Sequence, residues 1–362
     1  MSGLLGKLQL LYRQTEQASE AYNATEVELI RQRVEAKKLG ADLDRARTAL
    51  ERNRVDAGLL ARRQYQGQSD LSAYLRLLLS PDPARLLDDG YLLERAARSR
   101  AATMRGLTEG ERRAAALESA ARTALERQQK LVAQQKRQRD TVTGRLREVE
   151  KMLASLSGTE IASIAALERA GTEQAQRDLI ASGALGDGVG AAGVTGTAGA
   201  PGAPGTAASP GGTPSVAGGR AVEFAVAQIG KPYEWGAEGP GSYDCSGLTS
   251  QAWARAGVPI PRTSQDQWRD LARIPLRELR PGDLVVYFPE ATHVALYLGN
   301  GLVVQAPRPG ASVKVSPLAA NPLLGAVRPD PEAVALAPSA YTPPVLPEGA
   351  TDGSDLGFGG TS

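Results

Sequence analysis

Among its 362 residues the chain holds one cysteine, Cys245, and one histidine, His293. One thiol cannot close an internal disulfide, and one thiol with one imidazole is too few ligands for a Cys/His zinc site. No metal or cofactor is therefore expected. The pair is suited to nucleophilic catalysis, with the sulfur as nucleophile and the imidazole as base. Cys245 stands in Tyr243-Asp244-Cys245-Ser246-Gly247-Leu248, where a loop pattern becomes a helical one. A thiol at a helix N-terminus sees the positive end of the backbone dipole, which favours the thiolate. His293 opens an apolar run forty-eight residues later, and Gln305 follows in the run beyond Asn300-Gly301. Asn-Gly between apolar runs predicts a hairpin, and pairing about that turn sets Gln305 close to His293. An amide there can hold one ring nitrogen and leave the other facing the thiol, which completes a nucleophile–base–orienter set. Each residue alone has a plainer reading. A lone Cys is commonly a small buried hydrophobe, a lone His a satisfied core residue, and Gln305 an outward strand residue.

The elements that must position this set come next. Arg220 to Ile229 reads as a short amphipathic helix, and Ser246 to Ala256 as a second, ended by Gly257. Strand signals follow over Asp283–Phe288, His293–Leu298 and Leu302–Gln305, with Val313–Val315 as a further candidate. Helices first and antiparallel strands afterwards predict an α+β domain of about 110 residues. Trp253 and Trp268, at helical positions, are expected in its core.

The preceding half of the chain is of another kind. Residues 1–80 and 84–200 contain no proline. From Leu4, positions spaced alternately four and three apart run Leu4, Leu8, Leu11, Thr15, Ala18, Tyr22, Thr25, Leu29, Gln32, Ala36, Leu39, Leu43, Ala46, Leu50, Asn53, Ala57 and Leu60, mostly apolar among charged neighbours. That heptad seam predicts one helix from residue 4 to about 66, on the order of 95 Å long, which needs a partner helix. Gln32 and Asn53 are candidates to fix its register. A second helical run, Tyr91 to about Leu156, is the natural antiparallel partner. Short helices are expected between them over Leu71–Leu79 and from an Asp82 cap with Pro83 at its first position to Gly90. A further helix capped by Thr159 fades near Ser182.

These patterns divide the chain into a helical coiled-coil hairpin (1–182), a flexible Gly/Ala/Pro linker (183–218), the α+β domain (219–330) and a Pro/Gly-rich disordered tail (331–362). The balance of 42 basic and 40 acidic residues argues against a polybasic nucleic-acid binder, and no apolar run is long enough for a membrane span. Two formal motifs carry no function. Gly188-Val-Gly190-Ala-Ala-Gly193 lacks the strand and helix of a dinucleotide fingerprint, and the sequon Asn23-Ala24-Thr25 lies inside a helical stretch.

Several segments together carry a resemblance. Lys231-Pro232-Tyr233-Glu234-Trp235-Gly236, Asp244-Cys245-Ser246-Gly247-Leu248, Pro261-Arg262-Thr263-Ser264, Leu279-Arg280-Pro281-Gly282-Asp283-Leu284, His293 to Gly299 and Gln305-Ala306-Pro307 resemble, in order and spacing, the NlpC family of cell-wall cysteine peptidases. The resemblance covers roughly residues 220–318. It implies a trimmed papain-like fold and cleavage of peptidoglycan stem peptides, typically between D-glutamate and the diamino acid. It assigns attack on the scissile carbonyl to Cys245, activation and leaving-group protonation to His293, orientation of His293 to Gln305, and oxyanion stabilisation to the Cys245 N–H with the Tyr233 hydroxyl. Asp244 and Ser246 are implied to line the subsite for the start of the stem peptide. Two positions depart from the pattern: Gln305 stands where His is commoner, and Ala237 where a second glycine often follows Trp235-Gly236.

The rest of the chain resembles cell-separation hydrolases that carry an N-terminal helical hairpin, in some of which the hairpin tip docks on the transmembrane FtsE–FtsX complex. That implies docking through Leu71 to Asp89. A hairpin joined by a flexible linker can fold back on the cleft, so autoinhibition is expected. A non-catalytic coiled-coil adaptor that only binds wall peptides is the alternative, motivated by the share of chain given to the hairpin and by Gln305. A wall substrate implies a secreted protein, and no apolar signal segment precedes the heptads, so such a signal is expected to have been left off this chain.

Overall fold

The computed structural model describes residues 2–66, 75, 83–186 and 212–352. The short helix expected over Leu71–Leu79, most of the Gly/Ala/Pro linker and residues 353–362 lie outside the described residues. Among the described residues the N-terminal part has three long helices: α1 (Ser2–Tyr65), α2 (Pro83–Ala154) and α3 (Gly158–Ala181). Proline stands at the first position of α2, where a missing N–H costs nothing. The helix runs on through Gly90, where a stop is expected from the sequence. A glycine costs a helix interior only about 1 kcal/mol, and a 72-residue element carries that easily. Ser157, rather than Thr159, caps α3: its hydroxyl accepts from Glu160 N, and the Glu160 carboxylate accepts from Ser157 N.

The chain forms two compact units. One comprises Glu28–Ala133, and the other Met1–Val27 with Gln134–Ser362. In the first, α1 and α2 run antiparallel, with Leu29, Leu43, Ala46, Leu50 and Ala124 buried on the seam. Asn53 Nδ2 donates to Gly106 O at 2.9 Å, so the polar seam residue pins the pairing as its position suggests. Gly106 and Gly110 admit it, because each lies against the Asn53 side chain. The second unit repeats the pairing around Leu8, Tyr12, Val149 and Ile164, and adds the C-terminal domain. No helix among the described residues is long and apolar enough to cross a membrane.

The C-terminal domain contains α4 (Val216–Val226), α5 (Cys245–Arg255) and α6 (Ser264–Asp270). Its strands are β1 (Ala272–Ile274), β2 (Leu284–Tyr287), β3 (His293–Gly299), β4 (Leu302–Gln305), β5 (Lys314–Pro317) and β6 (Leu323–Arg328). They form one antiparallel sheet in the order β1-β6-β2-β3-β4-β5. Strand β6 is absent from the sequence reading because Pro322 and Gly325 mark it as a breaker. The glycine has a packing cause: a Cβ on Gly325 would fall 2.7 Å from the Trp268 ring.

Alternate residues of a strand face opposite sides of a sheet. On one side Leu284, Val286, Val294, Leu296 and Val304 pack with Trp253, Leu248 and the α4 residues Val222 and Ala225. On the other, Val285, Tyr287, Ala295, Tyr297 and Val303 pack with Leu185 and the end of α3. Gln176 of α3 also clamps this side, donating to Gly301 O and accepting from Ala319 N. Both faces are covered, which is why the strands read as unbroken apolar runs.

Two boundaries differ from the sequence reading. Helix α4 begins at Val216, capped by Ser215, inside the expected linker. Residues 331–352, expected as part of a disordered tail, lie against the domain. Leu336 N donates to Pro214 O, Val315 N donates to Ala350 O along the β5 edge, and Ala350 is buried. Backbone hydrogen bonds and an edge to pair with hold a segment whose composition alone would leave it loose.

Candidate active site

Helix α5 begins where Asp244 leaves extended backbone. Its carboxylate accepts from Gly247 N at 2.6 Å and so caps the helix. Cys245 is then the first helical residue, with a backbone N–H free of any acceptor within the helix. Gly247 is required by space: a Cβ there would lie 2.1 Å from Ala237 O. Ala237, the departure beside Trp235-Gly236, serves here through its carbonyl, which accepts from Asp244 N. The other carboxylate oxygen of Asp244 accepts from Gly236 N at 2.9 Å and from Arg262 Nη2 at 2.7 Å. Arg262 reaches Ser246 Oγ as well, at 2.8 Å. Arg262 has no role in the sequence reading. Its motif Pro261-Arg262-Thr263-Ser264 was visible, but only the fold puts the guanidinium across the Asp244 carboxylate.

His293 is the first residue of β3 and Gln305 the last of β4, so the antiparallel pairing puts both at one end of the sheet. His293 Nε2 lies 2.7 Å from Gln305 Oε1. With Nε2–H donating to that oxygen, Nδ1 is left as the basic nitrogen. The expected pairing of imidazole and amide is therefore present. Helix α5 packs on β3, and the Val294 N–H, next in sequence to His293, donates to the Cys245 sulfur. Tyr233 is buried beside Cys245; burial first, then the Cys245 charge, pushes its hydroxyl pKa well above the ordinary range.

The cleft is covered by α1. Tyr12, Glu16, Ser19, Glu20 and Asn23 form a second buried stripe on that helix, beside the hairpin seam. Asn23 Nδ2 donates to Asp244 Oδ2 at 3.0 Å. Glu20 Oε1 accepts from Ser246 Oγ at 2.8 Å and lies 3.9 Å from the Cys245 sulfur, and Glu20 Oε2 accepts from Ser264 N at 2.8 Å. Glu16 Oε1 lies 3.7 Å from His293 Nδ1. Tyr22 meets the Trp235 ring edge-on at 4.9 Å. The stripe is mostly polar, so hydrophobic patterning does not reveal it. A 4-3-4 spacing of Tyr12, Glu16, Ser19 and Asn23 was its only trace in the sequence.

Burial sets the electrostatics. Glu16 is raised to about 8, chiefly by burial and against the pull of Arg308. Glu20 is raised to about 7, by burial and then by Asp244. The Cys245 thiol is pushed well up by burial and then by Glu20, Asp244 and Glu16. With α1 seated, desolvation and three carboxyl groups outweigh the helix dipole at the start of α5. The sulfur is held as a thiol.

Residues 230–324 match the NlpC/P60 family. A probable endopeptidase of Corynebacterium glutamicum is 46% identical over 94 residues, 26% of this chain and 45% of that protein. The peptidoglycan endopeptidase RipA of Mycolicibacterium smegmatis is 40% identical over 126 residues, 30% of this chain and 25% of that protein. The NlpC/p60 domain of the peptidoglycan hydrolase SagA is similar in structure, at 33% identity and a TM-score of 0.29, over 31% of this chain and 97% of that one. The chain thus spans less than half the length of these two curated relatives. Motif order, the sheet that carries His293 and Gln305, and the family match agree on one assignment: the chain contains an NlpC/P60 domain, over residues 230–324.

Proposed function

We propose that the chain is a cell-wall endopeptidase that hydrolyses peptidoglycan stem peptides, at the D-glutamyl–diamino acid bond, and that α1 keeps it inactive until the hairpin is moved. The observation that carries this reading is the 2.7 Å contact of His293 Nε2 with Gln305 Oε1, at the sheet end where α5 presents Cys245. In the reaction, Cys245 gives its proton to His293 Nδ1 and the sulfur attacks the scissile carbonyl. The Cys245 N–H and the Tyr233 hydroxyl hold the oxyanion. The imidazolium then protonates the leaving amine, and water, deprotonated by the same ring, releases the acyl group. Asp244 and Ser246 bind the start of the stem peptide. The relatives' names support wall-peptide hydrolysis as the reaction class. We further propose a secreted protein acting in cell separation, with the hairpin tip as the docking point for an FtsE–FtsX-type complex.

Glu20 and Asn23 occupy the same donors and acceptors that a substrate would need, and Glu16 faces the base. This is the support for autoinhibition. A second reading, a non-catalytic adaptor that binds wall peptides, draws on the burial of Cys245 and its raised pKa. The test uses the full chain with Glu16→Arg and Glu20→Arg, which set cations against Arg308 and Arg262 and displace α1. Stem peptides should be cleaved by this opened variant and left intact when Cys245→Ala is added. Absence of cleavage in the opened variant, with a thiol that alkylates no faster than free cysteine, would favour the adaptor.

A further inference from the structure

The order of contacts along α1 maps the cleft. Asn23 meets Asp244, Glu20 meets Ser246 and Cys245, Glu16 meets His293, and Tyr12 meets Arg308. These positions, from Tyr12 to Asn23, lie eleven helical steps apart, or about 16 Å at about 1.5 Å each. Asp244 and Ser246 mark the end that receives the acyl side. His293 protonates the leaving amine, so the leaving residue extends past His293, towards Arg308.

Arg308 follows Gln305 by three residues, and its side chain is buried. Its guanidinium stacks on the Tyr12 ring with 4.7 Å to the centroid, and Nη2 lies 3.4 Å from Glu168 Oε1 of α3. Its charge also acts on the Glu16 carboxyl. Arg308 Nε is buried with no hydrogen-bond partner among the described residues. An arginine fork of this kind matches a carboxylate in two parallel bonds. Both groups that touch it, the Tyr12 ring and the Glu168 carboxylate, come from α1 and α3. Among the described residues no carboxylate of the C-terminal domain pairs with it, so lifting those helices leaves a cation on the leaving-group side of the nucleophile.

We propose that Arg308 recognises a carboxylate on the leaving residue of the substrate, and that Tyr12 and Glu168 stand in for that carboxylate while the cleft is covered. The proposal rests on the peptidase reading above and names the specificity of its leaving side. Arg308 then serves twice, as an anchor for the covering helices and as a substrate-binding residue. The carboxylate it takes is one borne by the diamino acid.

The test is binding and cleavage by the full-length opened variant, with Glu16→Arg and Glu20→Arg. The probes are two stem tripeptides ending in diaminopimelate, one with its carboxyl groups free and one with them as carboxamides. With Cys245→Ala added, calorimetric titration should give the free acid about tenfold tighter binding, in line with a charge-assisted pair. Arg308→Gln should bring that ratio to about one, and Arg308→Lys should keep part of it. In the Cys245-intact protein the same preference should appear in KM rather than kcat. The acid-to-amide comparison needs no change at position 308, so a misfolded Arg308→Gln would not spare the proposal. Equal affinity for both peptides, or no measurable affinity for either, would overturn it. Failure of the peptidase reading has a different signature: the acid preference persists in binding while the Cys245-intact protein cleaves neither peptide.

Discussion

At the scale of single residues, the site depends on a few atoms with no slack. Gly247 is the clearest case, because a methyl group would be driven into Ala237 O at 2.1 Å. Gly247→Ala should destabilise the domain by about 1–3 kcal/mol, read as a lowered midpoint in denaturant. An unchanged midpoint would mean that the Trp235–Ala237 loop yields freely. In the proposed mechanism Gln305 acts through His293, so Gln305→Ala in the opened variant should lower kcat by roughly 10²-fold, the lower end for a base that has lost its set. Gln305→His should retain most of the rate, since an imidazole can also meet His293 Nε2. A Gln305→Ala rate equal to the parent would remove the orienting role. Arg262 shows how a residue visible in a motif can lack a role until the fold is known: its guanidinium braces Asp244 and Ser246 from a loop eighteen residues further on.

At the scale of elements, α1 carries two stripes for two purposes. One is the hairpin seam of Leu8, Thr15, Thr25 and Leu29. The other, Tyr12, Glu16, Glu20 and Asn23, lies in the cleft. Asn23, which begins a formal sequon, is a cleft residue bonded to Asp244. Displacing the second stripe alone is therefore possible in principle. Glu20→Arg should leave helix content unchanged by circular dichroism and raise the alkylation rate of Cys245 at least tenfold. An unaltered alkylation rate would show that α1 does not control access to the sulfur. On α3, the Ser157–Glu160 capping box is worth about 1 kcal/mol. Ser157→Ala should speed amide exchange in the first turn of α3 while the β2–β3 ladder keeps its protection.

At the scale of the whole molecule, the cover is linked to pH. Glu16 and Glu20 have raised values only while α1 is seated, at about 8 and about 7, against ordinary carboxyls when it lifts. Groups whose values are raised in the covered form favour that form fully below their ordinary range and cease to favour it as pH climbs through the raised values. The cover should thus be tightest below about pH 4.5 and weaken between about 4.5 and 8. After burial, Arg308 and Glu20 act on Glu16, and Asp244 and Arg262 act on Glu20, while His293 lies against Glu16 and Glu168 against Arg308. Cys245 alkylation, corrected for thiolate fraction, should rise over this window in the parent chain. In the Glu16→Gln, Glu20→Gln variant it should stay low and flat. A parent profile as flat as the variant's would exclude the carboxyls as the source.

Taken by itself, the amino-acid sequence determined the local matters. The Asn300-Gly301 turn and its flanking runs placed β3 and β4, and so placed Gln305 near His293, because a hairpin register follows from the turn. The 4-3 spacing of apolar residues placed α1, because helix periodicity is written in every turn. The motifs around Cys245 identified the domain, because close packing at Gly247 and capping at Asp244 admit few other residues. Only the tertiary structure decided what lies over the site. Glu16, Glu20 and Asn23 are ordinary surface residues by type, and more than two hundred positions separate Glu20 from Ser246. The same fold decided that Cys245 is a buried thiol here rather than a thiolate. A helix terminus is a local property, whereas desolvation and neighbouring carboxyls come from whatever the chain brings alongside.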